Sequence, residues 1–162
     1  MISYFDSSAL VKRYVAERGS EEVAQLIQSS EMVGTVLLSR AEVVAALAKA
    51  TRVGALSEDA ATEARDRFES EWRDWVRLAV PEALAARAGD LAWSHALRGY
   101  DALHLSAART WADLMDEPVT FATFDRSLWT AADREGLTAW PEDLPALLES
   151  WTEADSPPPH PA

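Results

Sequence analysis

The stretch MISYFDSSALVKRY, residues 1–14, changes character at a single acid, Asp6. Up to Phe5 it is a short β-like run; beyond Asp6, the residues Leu10, Val11, Tyr14 and Val15 recur at helical spacing. A strand that ends in an acid and turns directly into a helix opens a β–α unit. The same change recurs near the other end, where PVTFATFD (118–125) reads as a strand ending at Asp125 and RSLWTAADREG (126–136) as a helix. Between them, SEEVAQLIQSS is helical, with acids in its first turn, and MVGTVLL (32–38) is a β-branched, apolar strand candidate. SRAEVVAALAKATRVG is a helix ending near Gly54, and a further helix, SEDAATEARDRFESEWRDW, takes Ser57 as its N-cap. Val76, Leu78 and Val80 alternate as a short strand before Pro81 opens PEALAARAGDLAWSHAL; YDALHLSAARTWADLMD is another helix and LTAW a last strand. Strands separated by one or two helices pair in parallel through right-handed crossovers, which makes this an α/β sandwich. In such sheets, ligands bind beyond the carboxyl ends of the strands.

Composition narrows the class. The 162 residues suit one domain, and 48% apolar content with seven Trp excludes disorder for most of the chain. No apolar run approaches the roughly 18 residues of a membrane span. The start has no basic region followed by a leader-like apolar stretch, so a cytoplasmic location is expected. The absence of cysteine removes disulfides, thiolate catalysis and Cys-type zinc sites. The net charge of −12 argues against non-specific coating of nucleic acid, but it is unevenly spread: residues 141–162 carry five acids and no Lys or Arg. The segment 151–162, ending SPPPHPA, reads as an acidic, Pro-rich tail without packed structure, leaving 1–150 as the domain.

Four acids occupy one kind of place. Asp6 and Asp125 end strands, Glu42 follows the second strand, and Asp101 opens the helix that leads into the 118–125 strand. Each has a purely structural reading: Ser39 and Glu42 fit a capping box, and the three Asp residues fit N-caps. Convergence changes the balance. Two carboxylates ~5 Å apart repel by ~3 kcal/mol at an effective dielectric of ~20, whereas a helix N-terminus returns only ~0.3–1 kcal/mol per acid. Four ionised carboxylates in one cleft therefore need raised pKa values or a bound cation. With oxygen ligands and no Cys, that cation is Mg²⁺ or Mn²⁺ rather than zinc.

In order, YFDSSALVKRY, SRAEVVAAL, LRGYDALHLSAA and FATFDRSLWTAA resemble the four acidic motifs of PIN-domain ribonucleases. The span from about residue 1 to 140 resembles the single-domain bacterial toxins of the VapC type. The resemblance implies a three-layer sandwich around about five parallel strands in the order 3-2-1-4-5. It implies a catalytic, metal-binding quartet of Asp6, Glu42, Asp101 and Asp125, with Ser7 and Thr123 as auxiliary hydroxyls. The activity implied is hydrolysis of RNA phosphodiesters with one or two Mg²⁺ or Mn²⁺ ions, leaving 5′-phosphate and 3′-hydroxyl ends. A cognate VapB-type antitoxin and a homodimer are implied as partners. Some relatives carry another acid after the last Asp, where this chain has RSLW.

The remaining chemistry-bearing residues have plainer readings. His104, inside an apolar helix, reads as structural, and the Phe68, Trp72, Trp75 stripe as core or a subunit interface. Lys12, Arg13, Arg40, Arg98 and Arg126 lie near the acids in sequence and offer a cationic rim for phosphate, or are ordinary surface bases. Two competing functions remain: a catalytically silent PIN-fold interaction partner, and a Mg²⁺-binding regulatory module. The second is disfavoured, since Asp6 has no acidic neighbour and the chain's two lysines, Lys12 and Lys49, do not follow the last strand.

Overall fold

A computed structural model describes residues 1–154. Its sheet has five strands, β1 (Ile2–Phe5), β2 (Met32–Val36), β3 (Val76–Leu78), β4 (Val119–Ala122) and β5 (Thr138–Trp140). All pairings are parallel and the spatial order is β3-β2-β1-β4-β5, the expected one. In register, Ile2 lies opposite both Met32 and Val119, so β1 is the central strand.

Alternation along β1 and β4 builds the two faces of the sheet. Ile2, Tyr4, Val119 and Phe121 pack on one side with Leu105 and Trp111 of α6 (Gly99–Met115), Leu84 and Leu91 of α5 (Glu82–His95), and Leu128 of α7 (Arg126–Arg134). Phe5 and Ala122 pack on the other with α1 (Ser7–Val11), α2 (Ser20–Ser29), α3 (Ser39–Arg52) and α4 (Glu58–Glu71). The two sides make a three-layer sandwich. The Phe68, Trp72, Trp75 stripe is buried in the second layer, where its rings meet each other edge-on or tilted. It is core, and offers no surface to a second copy. On β2, Gly34 lets the Trp111 indole lie against the backbone; a Cβ there would run into the ring.

The local expectations are refined in two places. The first helix ends at Val11 rather than running on through Tyr14 and Val15, because the N–H groups of Arg13 and Tyr14 bond carbonyls three residues back and tighten the chain into turns. A final helix, α8 (Leu144–Ala154), was hidden by Pro141 and Pro145; a proline in a first turn costs no helical hydrogen bond. It runs across the 150/151 boundary, and Trp151 stacks on Phe124 with ring centres 5.8 Å apart. The expectation for the Pro-rich segment 155–162 lies outside the described residues. No helix among the described residues is long and apolar enough to cross a membrane.

Candidate active site

The carboxyl ends of β1, β2 and β4 and the start of α6 bring the site together. Asp6 is buried and caps α1, its Oδ1 accepting from the Ala9 N–H at 2.9 Å. Ser8 donates to both Asp6 oxygens at 2.8 and 2.9 Å, and Thr123 donates to Oδ2 at 2.8 Å. Burial nevertheless raises the Asp6 pKa; His104, the Ala9 N–H and the two hydroxyls pull the other way and do not cancel it. Thr123 also accepts the Asp125 N–H at 3.1 Å, tying the β4 acid to the β1 acid through one hydroxyl. Asp125 caps α7, accepting from the Leu128 N–H at 2.9 Å.

Glu42 is held differently. Ser7 donates to its Oε2, and His104 Nε2 lies 3.0 Å from the same oxygen. Burial acts to raise the Glu42 pKa, but the His104 and Ser7 hydrogen bonds together outweigh it and keep the carboxylate below its ordinary range. The other imidazole nitrogen, Nδ1, lies 3.0 Å from the hydroxyl of Tyr4. Tyr4 is wholly buried, and desolvation, with Asp6 nearby, pushes its hydroxyl's pKa up.

Asp101 is joined to the site by an arginine. Arg98 Nε donates to Asp101 Oδ2 at 2.7 Å and Nη2 to Asp125 Oδ2 at 3.2 Å. The Arg98 side chain is 77% exposed, so it spans the two acids from the solvent side. Asp101, next to it, holds the guanidinium more firmly protonated than usual, with a smaller contribution from Asp125.

The four predicted acids thus lie along one edge of the sheet, but two capping expectations are corrected. Glu42 makes no capping box: Leu38 is the N-cap of α3, Ser39 bonds Thr35 at 2.6 Å, and Glu42 turns toward His104 and Ser7. Asp101 is no N-cap either. Arg98 takes that position, leaving Asp101 two residues inside α6, where an acid still suits the positive helix end. Ser7 serves Glu42 rather than the neighbouring Asp6, whose hydroxyl partner is Ser8.

The cationic rim is smaller than expected: Lys12 pairs with Glu17, Arg13 with Glu71, Arg40 with Glu69 and Arg126 with Glu149, leaving Arg98 as the base paired with quartet acids. His104 is the residue that sequence reasoning undervalued. The signal was present: it follows Asp101 by one helical turn, and Tyr4 lies two positions before Asp6 in the strand that leads to that acid.

The oxygen donors suit a hard divalent cation in kind. Among the described residues, however, no three His, Asp or Glu side chains stand close enough together to hold a metal ion in this arrangement. The acids are instead accommodated by hydrogen bonds at Asp6, where burial still holds the pKa up, by hydrogen bonds at Glu42, and by the guanidinium at Asp101 and Asp125.

A fold with this strand order and four acids at one sheet edge is that of a PIN-type nuclease, and the PIN domain family model matches residues 3–132. The chain belongs to the PIN-domain family, in its VapC-type branch. Ribonuclease VapC45 of Mycobacterium tuberculosis strain CDC 1551 / Oshkosh is 37% identical over 141 residues, spanning 87% of this chain and 96% of the relative. Ribonuclease VapC49 of strain ATCC 25618 / H37Rv matches to the same extent.

Proposed function

We propose that this protein is a metal-dependent endoribonuclease acting as the toxin of a toxin–antitoxin pair. The observation that carries the reading is the placement of Asp6, Glu42, Asp101 and Asp125 along one carboxyl edge of the sheet, in a chain whose relatives are named ribonucleases. The four carboxylates are the groups that would hold one or two Mg²⁺ or Mn²⁺ ions. Such an ion supplies an acidified water and neutralises charge at phosphorus. Asp6 is anchored by Ser8 and Thr123, and Glu42 by Ser7 and His104, so both carboxylates have little freedom to turn. Arg98, exposed beside the acids, is the base placed to meet a backbone phosphate once it releases Asp101 and Asp125. Attack by water oxygen on phosphorus breaks the bond to the 3′ oxygen, leaving a 3′-hydroxyl and a 5′-phosphate. The protein acts in the cytoplasm as a homodimer, and a small VapB-type antitoxin blocks it by placing a basic side chain among the acids.

A second reading, a catalytically silent interaction module, is favoured by one feature: Arg98 already lies between two of the acids. Cleavage decides between them. Purified, antitoxin-free wild type and Asp101→Asn are incubated with total bacterial RNA and Mg²⁺ or Mn²⁺, and the 5′-phosphate ends are mapped. Discrete, metal-requiring cuts by the wild type that disappear in the variant support the nuclease. No cuts by either protein favours the silent module, and equal cutting by both removes Asp101 from the site.

A further inference from the structure

His104 is 3% exposed, and the hydrolytic scheme gives it no role. Burying an imidazole is costly unless both nitrogens find partners, so an ordinary core position here would favour an apolar side chain. Both nitrogens are engaged, Nδ1 with a fully buried phenol and Nε2 with a quartet carboxylate at 3.0 Å and, at 3.3 Å, with the Ser7 hydroxyl that bonds the same carboxylate.

We propose that Tyr4 and His104 form a positioning relay that orients the Glu42 carboxylate for a divalent cation. This rests on the metal-dependent reading above. The Tyr4 ring is stacked on Phe121, with centres 5.3 Å apart and planes 6° from parallel, which fixes where its hydroxyl points. Nε2 faces the Glu42 carboxylate, whose oxygens only accept, so Nε2 carries the proton; the neutral imidazole then has an acceptor at Nδ1, which assigns the Tyr4 hydroxyl as its donor. The Ser7 and His104 bonds both fall on Oε2, and Oε1 receives no hydrogen bond from the described residues. One oxygen is anchored and the other presented. Partners of this kind behind a ligand commonly change metal affinity ~10–100-fold when removed. His104 touches neither substrate nor cation in this scheme; it acts through Glu42.

Three variants of the full chain separate the relay from simple core filling. Tyr4→Phe deletes the hydroxyl and keeps the ring, His104→Leu fills the space without a donor, and His104→Gln restores an N–H. Mn²⁺ affinity is measured by calorimetry, folding by thermal unfolding, and the imidazole tautomer by ¹⁵N NMR of the metal-free protein. The expected result is a single Nε2–H tautomer in the wild type, with the other tautomer appearing in Tyr4→Phe. Mn²⁺ affinity falls ~10-fold in Tyr4→Phe and His104→Leu, and returns toward wild type in His104→Gln. Should His104→Leu fail to fold, Tyr4→Phe decides alone. An Nδ1–H tautomer in the wild type, wild-type Mn²⁺ affinity in folded Tyr4→Phe, or no Mn²⁺ binding by the wild type overturns the relay. Wild type that binds Mn²⁺ in the expected way yet cuts no RNA removes the nuclease reading and leaves the relay standing.

Discussion

Asp6 and Asp125 do the same local job in different surroundings. Each follows a strand, each caps the helix that comes next, and each accepts a backbone N–H at 2.9 Å. Asp6 is 4% exposed and takes two further hydroxyl donors; the Asp125 side chain is 31% exposed and takes an arginine. The contrast shows that burial decides how a carboxylate is balanced. Inside, directed hydrogen bonds must do it, because a lost partner strands a donor in the protein. At the rim, a mobile cation suffices, because water takes over when it leaves.

The comparison can be broken most directly at its buried end. Asp6→Ala removes the α1 cap and strands the hydroxyls of Ser8 and Thr123, and is expected to cost ~2–4 kcal/mol in urea unfolding. A loss under ~1 kcal/mol would mean that water reaches the site and satisfies these donors.

An intermediate case lies outside the site. Glu71 accepts from Arg13, Arg67 and Tyr14; burial acts to raise its pKa, yet these bonds outweigh it and lower it below the ordinary carboxylate value of 4.5. Glu71→Gln is expected to destabilise by ~1–2 kcal/mol at neutral pH. Because the folded-state pKa is the lower one, the wild-type advantage is full above the unfolded-state pKa and is lost as pH falls through the folded one. Unfolding midpoints of both proteins between pH 7 and pH 2 should therefore converge at the acid end. A gap that persists there would assign the effect to packing.

At the exposed end, Asp125→Ala loses a cap but strands no side-chain hydroxyl, and ~1 kcal/mol is expected by the same urea measurement. Equal costs for Asp6→Ala and Asp125→Ala would dissolve the distinction between them. The smallest effect is at Arg98. Arg98→Gln should move stability by less than ~1 kcal/mol, and less still in 0.5 M salt, taken as roughly the concentration that shortens screening below 5 Å. By freeing two carboxylates, it should also tighten Mn²⁺ binding by about fivefold, the equivalent of ~1 kcal/mol. Weaker Mn²⁺ binding in this variant would show that the guanidinium orders the two acids instead of occupying their charge.

The strand–acid–helix units at Asp6 and Asp125, the alternation of Val76 with Leu78, and the helical stripes were legible because each is a local pattern of period two or 3.6. Those patterns settled the sandwich and its parallel pairing, and the four motifs in order carried the strand order 3-2-1-4-5 through the family resemblance. They also put the ends of the acid-bearing elements toward one edge, since a parallel sheet puts all its strand ends together; convergence of the acids there is a matter of packing. Local pattern was a poor guide to what each side chain touches. Ser39 and Glu42 have the spacing of a capping box, yet Thr35 and His104 take them; Asp101 looks like a cap and pairs with Arg98; Ser8, which local pattern did not single out, holds Asp6. His104 meets Glu42 across 62 positions and Tyr4 across 100. A hydrogen bond depends on ångström-scale approach between elements far apart in the chain, and only packing of the three layers decides that.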